Sequence, residues 1–469
     1  MTQPLWQWDE LVAAAGARAE GTPAVAVTGF SIDTRTLKAG DVFVALKAER
    51  DGHEFVPAAF AAGASAALVA DRYARGPQDG ALLRVADPVA ALAAIGTAAR
   101  TRSRARIVAV TGSAGKTGTK EMLRLALSDA GATHASEKSY NNHWGVPLTL
   151  ARMPASAQYG VFEIGMNHAG EITPLTRLVR PHATVITTVE PVHLEYFPSV
   201  EAIAEAKAEI FSGLVPGGTA VLPYDNPHFA LLKARAAAVG AHVVSFGYAE
   251  DADVRCIQAN MDARGSSVIA GVNSQRFPYR IGAPGEHYVK NSLAVLAALR
   301  ALGADPMRCL PALVKAAAPA GRGARSVLEA DGGRILLIDE SYNANPASVR
   351  AALAAMATVP RADFPRRVAV LGDMLELGAA APDLHRGLKE AIDAAGVDLV
   401  LACGPMMRLL FDHLKPAQQG AWAADSAQLA PRLLDAVGAG DVVMIKGSLA
   451  SRMGPLADAM RTRFSRAGS

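Results

Sequence analysis

Short apolar, β-branched runs recur along the chain, each followed by polar residues and then by a helical pattern. The clearest covers residues 107–111, Ile-Val-Ala-Val-Thr, and predicts a buried parallel strand. Gly112, Ser113, Ala114, Gly115, Lys116 and Thr117 follow it. Met122, Leu123, Leu125, Ala126 and Leu127 then recur at helical spacing, with Gly131 as a stop. Strand, glycine loop ending in Gly-Lys-Thr, then helix is the context of a phosphate-binding loop. Glycines let backbone N–H groups turn toward one point, and the helix N-terminus adds its positive dipole end. Lys116 would reach the β- and γ-phosphates, and the Thr117 hydroxyl would ligate Mg²⁺. The longer general pattern needs glycine at position 110, where this chain has Val110. A Gly-Lys-Thr after a strand can also be an ordinary turn.

Before this loop, residues 25–28, 42–46 and 66–70 read as strands, and 55–62 and 91–102 as helices. They predict a small α/β domain over 1–102. After the loop, residues 140–147 are polar, carry Gly and Pro, and are expected to be irregular. Strands are expected at 159–165, 183–189 and 219–222, and an amphipathic helix carrying Lys207 at 201–211. Glu163 and His193 fall just after strand ends, where open α/β sheets bind ligands, so they are expected to share one crevice with Lys116. Residues 254–281 read as a β-rich insertion and 292–302 as an Ala-rich helix. Residues 316–325, rich in Ala, Pro and Gly, form a boundary that contains Arg322. Beyond it, strands at 334–339, 368–373, 398–403 and 441–446 alternate with helices, as in a doubly wound Rossmann-type unit. No G-x-G-x-x-G follows its first strand, so a dinucleotide cofactor is not supported. The expected fold is α/β with three domains. A small α/β unit spans 1–102. A central phosphate-loop domain with a mostly parallel sheet spans 103–320. A Rossmann-like domain spans 321–469.

Composition narrows the setting. The chain has 469 residues, 51% hydrophobic and 19% charged, which describes a soluble, folded protein of several domains. A net charge of +3 gives no reason to expect nucleic acid or an anionic membrane as partner. Cys256, Cys309 and Cys403 are scattered, as free thiols in a reducing compartment would be. Residues 1–16 lack the basic and apolar regions of a signal peptide, and no run is long enough to cross a bilayer, so a cytoplasmic location is expected.

Several motifs then converge on one family. Ser-x-Asp-Thr-Arg at 31–35, Gly-Asp-x-Phe, Asp-Gly-His, TGSAGKT, NNHWGVPLTL, FEIGMNHAGEI, AKAEIFSGL, DESYNANPASV and LGDMLELG resemble the Mur ligases, collinearly over nearly the whole chain. Ser-Tyr-Asn-Ala-Asn-Pro points within that family to the member that adds a dipeptide. The resemblance implies an ATP-dependent ligase that joins D-alanyl-D-alanine to UDP-N-acetylmuramoyl-tripeptide. Thr111 through Thr117 would bind ATP, with Asn291 and Arg322 near the base and the interdomain hinge. Thr117, Glu163, His193 and Lys207 would help hold two Mg²⁺ ions, with Lys207 carbamylated. Lys116, Glu163, His193 and Lys207 would form the catalytic set. Ser31, Asp33, Thr34, Arg35, Asn141 and Asn142 would serve the UDP-substrate. Asp339, Tyr342, Asn343 and Asn345 would face the nucleotide and the dipeptide, while Glu340 stands where some relatives have Asp. A monomer is expected. On pattern alone Lys207 is an exposed lysine of an amphipathic helix. Asp33-Thr34-Arg35 also fits plain turn chemistry, and a nucleotide switch without ligase activity is the competing reading of the whole.

Overall fold

The computed structural model describes residues 4–137, 139–192, 194–262, 265–318 and 321–466. Three sheets follow one another along the chain, each packed against helices. The first has the order Arg18–Glu20, Ala81–Val85, Ala66–Ala70, Asp41–Val44, Gly29–Ser31. Its pairs are parallel except the one made by Arg18–Glu20. The strand expected at 25–28 lies later, at Gly29–Ser31, while Val27 makes only an isolated bridge to Trp6. The helix expected at 55–62 is the shorter Val56–Ala61, led in by a 3-10 turn that Asp51 caps.

The central sheet has nine strands. Arg106–Thr111 runs parallel between Tyr159–Glu163 and Ala183–Ile186. Both its faces are covered, which is why Ile107 to Thr111 are all buried and the sequence shows no alternation. Thr219–Pro223, His242–Gly247 and Val254–Asp262 extend the parallel part. The β-rich insertion closes the sheet with two antiparallel strands, Gly265–Val272 and Gln275–Ile281.

Residues 140–147 are not wholly irregular. A helix, Gly145–Ala151, begins inside them, and every one of its residues is buried. Pro147 is tolerated because it sits in the first turn, where backbone N–H groups have no intrahelical partner. The helix is buried all round because two cores share it. Val146 and Leu150 pack with the central domain, and Leu148 and Ala151 with the first. The Trp6 indole donates to the Ala151 carbonyl at 2.9 Å, and the Arg102 guanidinium lies 3.6 Å over its ring.

The third sheet has the order Gln419–Ala423, Leu399–Cys403, Arg366–Gly372, Asp441–Lys446, Gly333–Glu340, Ala324–Ala330, Ser465–Arg466. The first five are parallel and the last two antiparallel. The pattern missed Arg18–Glu20, Ala81–Val85, Thr133–Ala135, His242–Gly247, Ala324–Ala330, Gln419–Ala423 and Ser465–Arg466. All but Ala81–Val85 and His242–Gly247 lie at or near sheet edges, where polar and charged residues are tolerated. Among the described residues no helix is long and apolar enough to cross a membrane.

Candidate active site

Two glycines shape the phosphate loop. Gly112 has φ +147°, and a Cβ there would lie 1.9 Å from the Thr187 hydroxyl oxygen. Gly115, at the N-cap of helix Lys116–Ser128, has φ +82°, and a Cβ would meet the Asn291 amide nitrogen at 2.6 Å. Conformation and space both exclude a side chain, and Asn291 lies against the loop. The Ser113 hydroxyl donates to the Glu190 carbonyl at 3.1 Å and accepts from the Glu190 N–H at 2.9 Å. Lys116 Nζ donates to the Gly112 carbonyl at 2.6 Å. Burial pushes the Lys116 pKa down; Glu163 opposes this and Arg322 adds to it. Both groups are therefore close neighbours of the ammonium. The Thr111 hydroxyl is buried without a partner among the described residues, so the loop holds a polar group still to be satisfied.

Glu163 ends the strand Tyr159–Glu163 and is fully buried. Its carboxylate accepts from the Thr117 hydroxyl at 2.9 Å and from the Asn141 amide at 2.8 Å. The Asn141 amide thus lies behind the phosphate loop, on the Glu163 carboxylate. Asn142 accepts from the Gly145 N–H at 2.9 Å and starts the shared helix. Lys207, in helix Val200–Ala208, is also buried, which overturns the exposed-lysine reading. Its amine has no hydrogen-bond or ion-pair partner among the described residues. Burial, and then the Lys116 charge, push its pKa well below the ordinary lysine value. His193 lies outside the described residues, and among those no cluster of three or more His, Cys, Asp or Glu groups forms. The hydroxyl and carboxylate oxygens of Thr117 and Glu163 nevertheless suit Mg²⁺, which prefers oxygen ligands.

Arg322 bridges the central and third domains beside Lys116. It donates to the Ser139 hydroxyl at 3.3 Å, and its guanidinium lies 4.0 Å over the Tyr342 ring. Asp339 accepts from the Ser341 hydroxyl and from Arg461, both at 2.6 Å. Asn343 Oδ1 accepts from the Ala344 N–H at 2.9 Å. Asn345 caps helix Pro346–Ala357, accepting from the Ser348 N–H at 2.8 Å, while its own N–H donates to the Ser348 hydroxyl at 2.9 Å. Asn-Pro with Ser three residues on was a legible capping signal. The sequence reading missed Lys446 and Ser448, which lie beneath this segment.

The N-terminal candidates sit apart from this centre. Ser31 is buried, and its hydroxyl accepts from the Asp33 N–H at 3.2 Å and donates to the Asp33 carbonyl at 3.0 Å. The Asp33 carboxylate pairs with Arg35 at 2.7 Å. Thr34 is half-buried in the same turn. A groove of about 490 Å³ on the carboxyl edge of the first sheet is lined by Lys47, His53, Arg72 and Asp87, but not by these four residues.

Three α/β domains with a phosphate loop facing a Rossmann-like third domain define a nucleotide-dependent enzyme built across a domain crevice. The Mur ligase middle domain matches residues 110–299, and the Mur ligase glutamate ligase domain matches residues 326–449. A UDP-N-acetylmuramoyl-tripeptide–D-alanyl-D-alanine ligase of Escherichia coli is 34% identical, with 92% of each chain covered. The enzyme of that name from Rickettsia prowazekii is 29% identical over 91% of this chain and 93% of its own. The crystal structure of MurF from Acinetobacter baumannii superposes with TM-score 0.82 at 29% identity, covering 97% of this chain and 99% of that one. MurF ligase from Thermotoga maritima, solved in complex with ADP, gives 0.75 at 25% identity, covering 93% and 98%. The chain belongs to the Mur ligase family.

Proposed function

We propose that the protein joins D-alanyl-D-alanine to the terminal carboxylate of UDP-N-acetylmuramoyl-tripeptide at the expense of ATP, completing a peptidoglycan precursor. The observation that carries the reading is Arg322, which lies near the phosphate-loop Lys116 and joins Ser139 of the central domain to Tyr342 of the third. A triphosphate and an amine acceptor can be held on the two sides of that link. The tripeptide carboxylate attacks the γ-phosphorus of ATP, ADP leaves, and an acyl phosphate forms. The dipeptide amine then attacks the acyl carbon, loses a proton, and displaces phosphate. Such chemistry needs positioning and charge neutralisation.

Each group has a part in this scheme. Lys116 turns from the Gly112 carbonyl onto the phosphates and offsets charge between two anionic reactants. Thr117, Glu163 and His193 hold two Mg²⁺ ions, which when bound draw charge from the phosphoryl oxygens. Lys207, whose pKa burial and then the Lys116 charge push down, gives up its proton more readily than an ordinary lysine; the free amine is the nucleophile for CO₂, and its carbamate adds an anionic oxygen beside Lys116. Asn291 serves the nucleotide. Ser31, Asp33, Thr34 and Arg35 serve the UDP end of the precursor. Asp339, Tyr342, Asn343 and Asn345 serve the dipeptide side. The three domains divide at residues 102–103 and 320–321, and the enzyme works in the cytoplasm as a monomer.

Mass spectrometry of the product from the three substrates tests the reaction: a condensed pentapeptide product is expected. Phosphate release without the acid or the amine substrate would instead favour a nucleotide switch.

A further inference from the structure

Lys446 ends the strand Asp441–Lys446, and its side chain is 3% exposed. An ammonium held that far from water must be compensated. Its partners are the Glu340 carboxylate at 3.3 Å and the Asn343 carbonyl at 2.9 Å. These two atoms lie on either side of the turn that carries Ser341 and Tyr342. One cation therefore clasps the turn at both ends. Ser448 continues the clasp. Its N–H donates to the Asp373 carbonyl at 3.1 Å, and its hydroxyl accepts from the Leu375 N–H at 2.9 Å and lies 3.4 Å from the Ala344 carbonyl. Between them, a Cβ on Gly447 would come within 2.5 Å of Met453 and 3.1 Å of Gly372. The strand end thus leaves no room for a side chain between Lys446 and Ser448.

We infer that Lys446 is a positioning residue of the ligation reaction, fixing the 340–345 turn so that Tyr342 and Asn343 face the crevice opposite the phosphate loop. The inference rests on the reading of that turn as the dipeptide side. Burial raises the Tyr288 pKa and the Glu340 charge adds to it, so the carboxylate lies close to helix Glu286–Ala301 of the central domain. The clasped turn is therefore at the domain boundary and not in the interior of the third domain. Arg would not substitute well, because a planar fork needs more room than a compact ammonium bridging two acceptors.

The test is steady-state kinetics on the full-length enzyme with each of the three substrates varied in turn. The variants are Lys446→Met, Tyr342→Ala and their combination. Lys446→Met leaves Glu340 without its partner, so Glu340→Gln with Lys446→Met is included to remove both charges; it keeps the test open if the single variant fails to fold. With Lys446 absent, KM for D-alanyl-D-alanine is expected to rise on the order of tenfold, with kcat and the other two KM values within about twofold, and the combination with Tyr342→Ala is expected to be less than additive. Unchanged KM values in a folded Lys446 variant overturn the proposal. So do strictly additive effects, or effects of Lys446 and Tyr342 on different substrates. If both residues instead shift the KM of ATP together and less than additively, Lys446 still positions the turn, and it is the dipeptide reading that fails.

Discussion

Lys207 shows what burial does to a single group. Its amine has no partner among the described residues, and its pKa is held below that of an unfolded lysine. The unfolded chain therefore binds the proton more readily than the native one between those two values. Stability rises with pH across that window, and the cost of burying the amine fades as pH approaches the ordinary lysine value. Lys207→Met is accordingly expected to raise the unfolding temperature in CO₂-free buffer at neutral pH, with the gain shrinking as pH rises; calorimetry at several pH values checks it. For activity, Lys207→Ala should be nearly inactive and partly restored by short-chain carboxylates, while Lys207→Arg should not recover, because guanidinium stays cationic. Full turnover of the Arg variant would exclude the carbamate. Lys116→Ala should lose at least about a hundredfold in turnover with the fold intact, as removal of one charge-stabilising group commonly does. Turnover and circular dichroism of the purified variant check that outcome together.

At the scale of elements, Asn345 carries a capping role not assigned to it from the sequence. Its Oδ1 caps helix Pro346–Ala357, so Asn345→Ala is expected to cost about 0.5–2 kcal/mol of stability. Asn345→Asp keeps an acceptor and should keep the stability. If the amide also meets the dipeptide, both variants raise KM for D-alanyl-D-alanine; if only the cap matters, the Asp variant behaves as wild type. Thermal unfolding and kinetics on the pair decide. The helix Gly145–Ala151 teaches a related lesson. Its polar approach and Pro147 argue locally against regular structure, yet two cores cover it on opposite sides. Propensity is a weak prior that tertiary packing overrides.

The whole molecule depends on how the first domain is seated. Trp6 reaches across to the Ala151 carbonyl, and Arg102 stacks on its ring. Trp6→Ala is expected to cost about 3–5 kcal/mol, as truncation of a large buried aromatic does, and to weaken binding of the UDP-substrate more than of ATP. Calorimetry resolving the first unfolding transition, with affinities for both ligands, measures this. A site spanning two peptide units should also use single D-alanine far less well than the dipeptide, because polar groups left unpaired cost about 1–3 kcal/mol each. Comparing kcat/KM for the two acceptors checks it.

Local pattern was enough for the phosphate loop, because strand, glycines and helix start are adjacent in sequence and their chemistry is set by backbone conformation. It was enough for the three α/β units, because parallel strands buried on both faces read as apolar runs with polar ends. It failed where a residue's role is set by what the fold brings near it. Asn141 gave no sign of its partner until the sheet carried Glu163 to its amide. Lys207 looked solvated until its helix was packed against the central core. Lys446 gave no signal, since a lysine closing a strand is ordinary until Glu340 and Asn343 close over it. Sequence determines which groups are available and which backbone they ride on. Only tertiary structure decides which of them lose water and which partner each one meets, since desolvation and pairing depend on contacts between residues distant along the chain.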